Sequence, residues 1–188
     1  MYDVYEQCPI IENEQYLLRL IEEKDAKDLF AVYSDKNALP FFNSDNCHGD
    51  NFYMSKEEYV VEAIKYWKME YDRRGFVRFT IVDKKENKAI GTIELFRREA
   101  DDFFTDCGLL RLDLGSKNEN KNTIQAILAL IDESVLESFH CSFLATKAPN
   151  YAVERIEALK ESGYSLSKEC LVGNDTQYRD YWIKYKEL

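Results

Sequence analysis

Glycine and proline are scarce in this chain, seven and three residues in 188, which excludes collagen-like and proline- or glycine-rich low-complexity architectures. Histidine is scarcer still. His48 and His140 stand far apart, and neither lies at metal-ligand spacing from a cysteine, so the usual zinc patterns are missing. The five cysteines, Cys8, Cys47, Cys107, Cys141 and Cys170, are odd in number and widely spaced, with no C-x-x-C pair. Reduced thiols in a cytosol are the simplest account of them. Positive charge is also in deficit, since 25 Lys and Arg against 35 Asp and Glu leave a formal net charge of −10. That balance argues against nucleic acid, whose phosphates require basic patches; it suits either a cationic partner such as an amine or plain solubility. No stretch approaches the roughly 20 apolar residues of a membrane span, and the acidic start Met-Tyr-Asp-Val-Tyr-Glu lacks the pattern of a signal peptide. The expectation is a cytoplasmic protein with no nucleic-acid or membrane partner.

What the chain does have is apolar material, 45% of its residues, enough for one substantial core and hence a single domain over residues 1–188. A strand, a loop and a helix near the middle organise it. Leu110, Leu112 and Leu114 share one strand face at period two, with Arg111 and Asp113 between them. The loop Gly115 to Asn122 follows. Ile124, Ile127, Leu128, Ile131, Val135 and Phe139 then recur at spacings of three and four, which predicts one amphipathic helix over 123–139. Such a layout aims the first free N–H groups of the helix at the loop, where a phosphate could sit.

Elsewhere, residues 1–14 show no periodicity and read as a surface arm. Tyr16 to Ile21 alternates as a strand, and Asp25 to Ser34 reads as a helix with Ala26, Leu29, Phe30 and Tyr33 on one face. A long loop from Asp35 to Asn51 holds Phe41 and Phe42, and loops of that length tend to bind something. Ser55-Lys-Glu-Glu58 has the form of a capping box for a helix running to about Arg73, buried through Val60, Ile64, Trp67 and Tyr71. Phe76 to Val82 and Ala89 to Phe96 make an antiparallel pair. Cys141 to Thr146 reads as a buried strand, and Asn150 as the cap of a helix that ends at Gly163. A hairpin turning at Gly173-Asn-Asp closes the chain. The expected fold is α/β (α+β), a single mixed, mostly antiparallel sheet of about seven strands with helices on both faces.

In this order the chain resembles the GNAT superfamily of N-acetyltransferases, of the ribosomal-protein and small-amine type. The resemblance rests on Leu18-Arg-Leu20 with Asp25-Ala26 and Leu29-Phe30, on Phe79-Thr-Ile-Val, and on Ala89-Ile-Gly-Thr-Ile-Glu-Leu95. Ala145-Thr followed by Ile156-Glu-Ala-Leu-Lys-Glu-Ser-Gly-Tyr164 completes it, over about residues 16–185. It implies acetyl-CoA as cofactor, lying where two central strands splay apart. Leu112 and Leu114 would offer main-chain bonds to the pantetheine arm, and Asn120, Lys121, Asn122 and Thr123 would surround the pyrophosphate. It also implies an amine acceptor, either a small molecule or a peptide N-terminus.

The loop departs from the family's pattern. Glu119, Asn122 and Ile124 stand where the family has Gln or Arg, Gly, and Gly or Ala, and Ala152 and Leu159 stand where members carry Asn and sometimes Tyr. A carboxylate and a branched side chain at those points are expected to weaken acetyl-CoA binding. The alternative to a transferase is therefore a catalytically inactive GNAT-fold domain that has lost the cofactor site. Acetyl transfer to an amine needs a base, and Glu94 and Asp113, carboxylates on otherwise apolar strands, are the candidates. Their plain alternative is a solvent-facing place on an alternating strand. Cys107 and Cys141 read as buried fillers. His48, with Phe41, Phe42, Phe52 and Tyr53, could line an acceptor wall or serve only surface and core.

Overall fold

The computed structural model describes residues 3–131 and 133–186. The strands are β1 (Ile11–Glu12), β2 (Tyr16–Leu20), β3 (Val77–Asp83), β4 (Lys88–Arg98), β5 (Cys107–Leu114), β6 (Phe143–Lys147), β7 (Ser165–Leu166), β8 (Leu171–Gly173), β9 (Thr176–Tyr178) and β10 (Tyr181–Tyr185). The helices are α1 (Ala26–Tyr33), α2 (Glu57–Asp72), α3 (Lys121–Leu128), α4 (Glu133–Ser138) and α5 (Val153–Glu161). Eight strands form one sheet in the order β1-β2-β3-β4-β5-β6-β10-β7, while β8 and β9 make a separate hairpin. Neighbours run antiparallel except β5 and β6, which are parallel. One face packs Leu110, Leu112 and Leu114 against Ile124, Ile127, Val135, Ala158 and Leu159 of α3, α4 and α5. The other buries Leu29, Tyr33, Val60, Ile64 and Trp67 of α1 and α2. The mixed sheet with helices on both faces is as expected from the sequence. Gly91 lets β4 approach β5, for a Cβ there would meet the Asp113 carbonyl oxygen at 2.1 Å.

Several local expectations give way. Residues 1 and 2 of the N-terminal arm lie outside the described residues, but the rest docks. Val4 is fully buried, the Tyr71 hydroxyl donates to its carbonyl, and Ile11 and Glu12 add an eighth strand by pairing with Leu18 and Leu17. The helix expected over 123–139 divides into α3 and α4; Asp132, between them, lies outside the described residues. Ile127, Leu128, Leu130 and Ile131 are all buried, and four buried residues in five exceed one helical stripe. The chain instead turns through i→i+3 bonds, Leu130 N to Ile127 O and Ile131 N to Leu128 O, both 3.0 Å. Ala152, not Asn150, holds the N-cap of α5, whereas Gly163 takes the left-handed φ of +85° expected past the helix end.

The capping box also fails. α2 begins at Glu57 with Lys56 as its extended N-cap and no side-chain capping bond, so Ser55 lies one residue outside the position from which a hydroxyl caps. Ser55→Ala is accordingly expected to change stability by less than about 0.5 kcal/mol. A drop near 1 kcal/mol in urea denaturation would restore the cap.

Candidate active site

β5 and β6 pair only as far as Leu110 with Thr146, whereas β5 runs on to Leu114. A gap opens there. Gly115 N–H donates to Ile90 O at 3.2 Å, so alternation along the strand turns the main-chain groups of Leu114 and Leu112 away from β4 and toward the gap. Their side chains stay in the core. The two leucines thus stand where an extended ligand could add itself to the free edge.

The loop after β5 ends against α3, and there the helix N-terminus is already served by the protein. Asn120 is its N-cap, with its side-chain oxygen accepting from Thr123 N at 3.1 Å. Lys121 N donates to the Glu154 carboxylate at 2.8 Å. Beneath, Arg155 binds Glu119 through two parallel bonds of 2.7 Å, with side chains only 2% and 4% exposed, and Arg155 Nη1 reaches Phe41 O at 3.0 Å. Two expectations about this loop are corrected. Glu119 is not a free charge aimed at a phosphate, because the Arg155 guanidinium neutralises it. Ile124 does not crowd the loop either; it is 0% exposed, with its side chain in the core under the sheet. Asn122 lies exposed. The strand edge therefore suits a pantetheine-like arm, while the loop as it stands offers a pyrophosphate little, since two of its N–H groups are committed.

On the α1 and α2 face, strand register aligns two polar rows. Arg78 stands opposite Glu94, and Glu94 opposite Arg111. Arg19, Thr80, Thr92 and Asp113 form the second row. Both candidate bases are consequently buried, Glu94 at 3% and Asp113 at 2% exposure, which removes the solvent-facing alternative for each. Glu94 receives Arg78 on one oxygen and Arg111 on the other, the latter at 3.0 Å. Asp113 accepts from the Tyr33 hydroxyl at 2.9 Å and from Arg78 Nη1 at 3.2 Å. Burial pushes the Asp113 carboxyl above its usual range despite the opposing Arg78 charge. Arg78, Arg111, Tyr33 and Thr92 were not singled out as site residues from sequence. Arg111 had left a signal by interrupting an apolar strand, but its partners depend on register.

The Arg78–Glu94–Arg111 row walls a cleft of about 490 Å³ that also touches Cys47, Phe52 and Trp67, within the 300–1,000 Å³ range of small-molecule sites. His48 lies at its exposed rim. Asn46, His48 and Phe52 all take left-handed φ, 62°, 54° and 62°, strain of the kind that collects at functional loops. Of the aromatics expected on an acceptor wall, only Phe52 lines this cleft. Phe42 is buried 5.5 Å from the Tyr33 ring, Phe41 packs on Tyr151, and Tyr53 is exposed beneath Lys36. Cys107 and Cys141 are buried fillers, as expected; burial pushes both thiols up to about 12. Among the described residues no helix is long and apolar enough to cross a membrane.

A family model described as an acetyltransferase (GNAT) domain matches residues 15–140. Comparison with curated proteins gives no significant sequence match. Among solved structures, a GNAT-family acetyltransferase from Bacillus anthracis superposes with a TM-score of 0.67 at 13% identity, covering 94% of this chain and 98% of that one. A ribosomal-protein-S5-alanine acetyltransferase from Vibrio fischeri gives 0.66 at 18% identity, covering 95% and 97%. A microcin C7 self-immunity acetyltransferase, solved with acetyl-CoA and AMP, gives 0.67 at 13% identity, covering 92% and 93%. At such identities the likeness concerns the fold.

Proposed function

Because this chain belongs to the GNAT acetyltransferase family, we propose that it is an acetyl-CoA-dependent N-acetyltransferase acting on a primary amine, a small molecule or a peptide N-terminus. The observation that carries the reading is the open edge of β5 at Leu112 and Leu114 beside a cleft walled by Arg78, Glu94 and Arg111. The main chain of Leu112 and Leu114 would hold the pantetheine arm, and Asn120, Lys121, Asn122 and Thr123 would meet the pyrophosphate once Glu154 moves aside. Acetyl-CoA supplies the activated acetyl group. The protein's part is to bring the amine in unprotonated. Of the two candidate bases, Glu94 reaches the cleft and can take the proton directly or through water, while Asp113 sits behind it under Tyr33.

A second reading, a GNAT-fold domain without catalysis, draws on the occupied loop, where Glu154 and Asn120 already satisfy Lys121 N and Thr123 N. Transfer of radiolabelled acetyl from acetyl-CoA to a panel of amines separates the two. Turnover is expected, and Glu94→Gln should lower it roughly a hundredfold or more with little change in cofactor affinity. Asp113→Asn serves as the companion variant. Full turnover in both would dismiss them as bases. No transfer to any amine at millimolar acetyl-CoA would favour the binding domain.

A further inference from the structure

The two arginines of the cleft wall hold donors that the protein does not use. Arg78 spends its terminal nitrogens on Thr92, Asp113 and Glu94, and Arg111 spends its own on Glu94 and the Asp45 carbonyl. Among the described residues, the Nε–H groups of both arginines are buried without a partner. Native proteins rarely leave a buried donor on a charged group unmet. Both guanidiniums are also pinned against rings, with Arg78 4.3 Å from the Trp67 centroid and Arg111 6.0 Å from that of Phe96. Neither can easily turn to find another acceptor.

Resting on the transferase reading above, the geometry points to a narrower acceptor class: an amine that also carries a carboxylate, of amino-acid to dipeptide size. Anionic oxygens are what idle guanidinium donors take best. The rim completes the preference. Asp50 and Glu70 border the same cleft, with Glu70 held 3.6 Å from Arg73. A simple anion meets repulsion at that rim, whereas a ligand bearing both charges does not. Its carboxylate lies on Arg78 and Arg111. Its charged amine meets the Asp50 and Glu70 rim of the same cleft. The cleft volume of about 490 Å³ admits such a molecule and is small for a folded protein surface.

The test is calorimetric titration of the full chain, without acetyl-CoA, with a panel of dipeptides and the matching dipeptide amides. At least one free acid is expected to bind tenfold or more tightly than its amide. Arg111→Lys, which keeps the charge beside Glu94 but has no Nε–H, should abolish that preference. Equal affinities for acid and amide across the panel, no binding by any dipeptide, or a preference that survives Arg111→Lys would each overturn the assignment. The acetylation assay keeps the two proposals apart. Acid-selective binding without transfer sinks the transferase and leaves the site, and transfer to amines without acid preference does the reverse.

Discussion

Arg155→Ala is expected to cost about 3–5 kcal/mol of folding stability, because it strands the buried Glu119 carboxylate without a counter-charge. The pair has bidentate geometry at 2.7 Å and is almost wholly excluded from water, so screening by solvent or salt gives little relief. Such a loss is a large share of the 5–15 kcal/mol typical of a domain. Glu119→Gln should be destabilising in the same direction, since it leaves the guanidinium uncompensated. Replacing both with apolar residues of similar size, Glu119→Leu with Arg155→Met, should recover most of the loss, for a buried ion pair gains little over good packing. Urea denaturation of the four proteins measures this. If Arg155→Ala costs less than about 1 kcal/mol, the pair does not hold the loop to α5.

Glu154→Ala is expected to strengthen acetyl-CoA binding about tenfold or more, equivalent to about 1.4 kcal/mol. Its carboxylate occupies Lys121 N, the first N–H of α3, where a phosphate oxygen would gain from both the free donor and the helix dipole. Removing it frees that donor and takes a negative charge from beside a negative ligand. Glu154 is exposed, so the substitution should leave stability nearly unchanged, and a gain in affinity cannot be assigned to refolding. Adding Asn120→Gly, which frees Thr123 N, should strengthen binding further at the expense of the helix cap. Unchanged affinity in both variants would place the obstacle elsewhere in the gap.

Much of the fold was legible because local patterns and global topology agree. Alternation located β2 and β5, apolar runs located β3, β4 and β6, and the stripes of α1, α2 and α5 are visible at spacings of three and four. Residues near the N-terminus were not, since Val4 and Ile11 gain their burial from contacts with α2 and β2 that no local period announces. The α3–α4 break was hidden for the opposite reason: the apolar spacing continues through it, and only the crowding of Ile127, Leu128, Leu130 and Ile131 hints at a turn.

At the site, Glu94 and Asp113 stood out as carboxylates on apolar strands, and they do lie together under α1 and α2. Their partners required register, because Arg78, Glu94 and Arg111 meet only when β3, β4 and β5 are paired. In the loop before α3, side chains close in sequence point to different places, Glu119 to Arg155 and Ile124 into the core. Arg155 carried the missing signal. It falls on the apolar stripe of α5 between Ala152 and Leu159, at spacings of three and four, and an arginine there requires a buried acid. Glu119 is that acid.

At the start of α3, Glu154 and Asn120 already accept from Lys121 N and Thr123 N, and this occupancy is expected to hold acetyl-CoA affinity down. Calorimetric titration of the unmodified full chain with acetyl-CoA, and with free CoA alongside, tests it most directly. A micromolar or weaker dissociation constant is expected for both, with Glu154→Ala tighter than the unmodified chain under the same conditions. A submicromolar constant for the unmodified protein would contradict it and return the loop to ordinary cofactor binding.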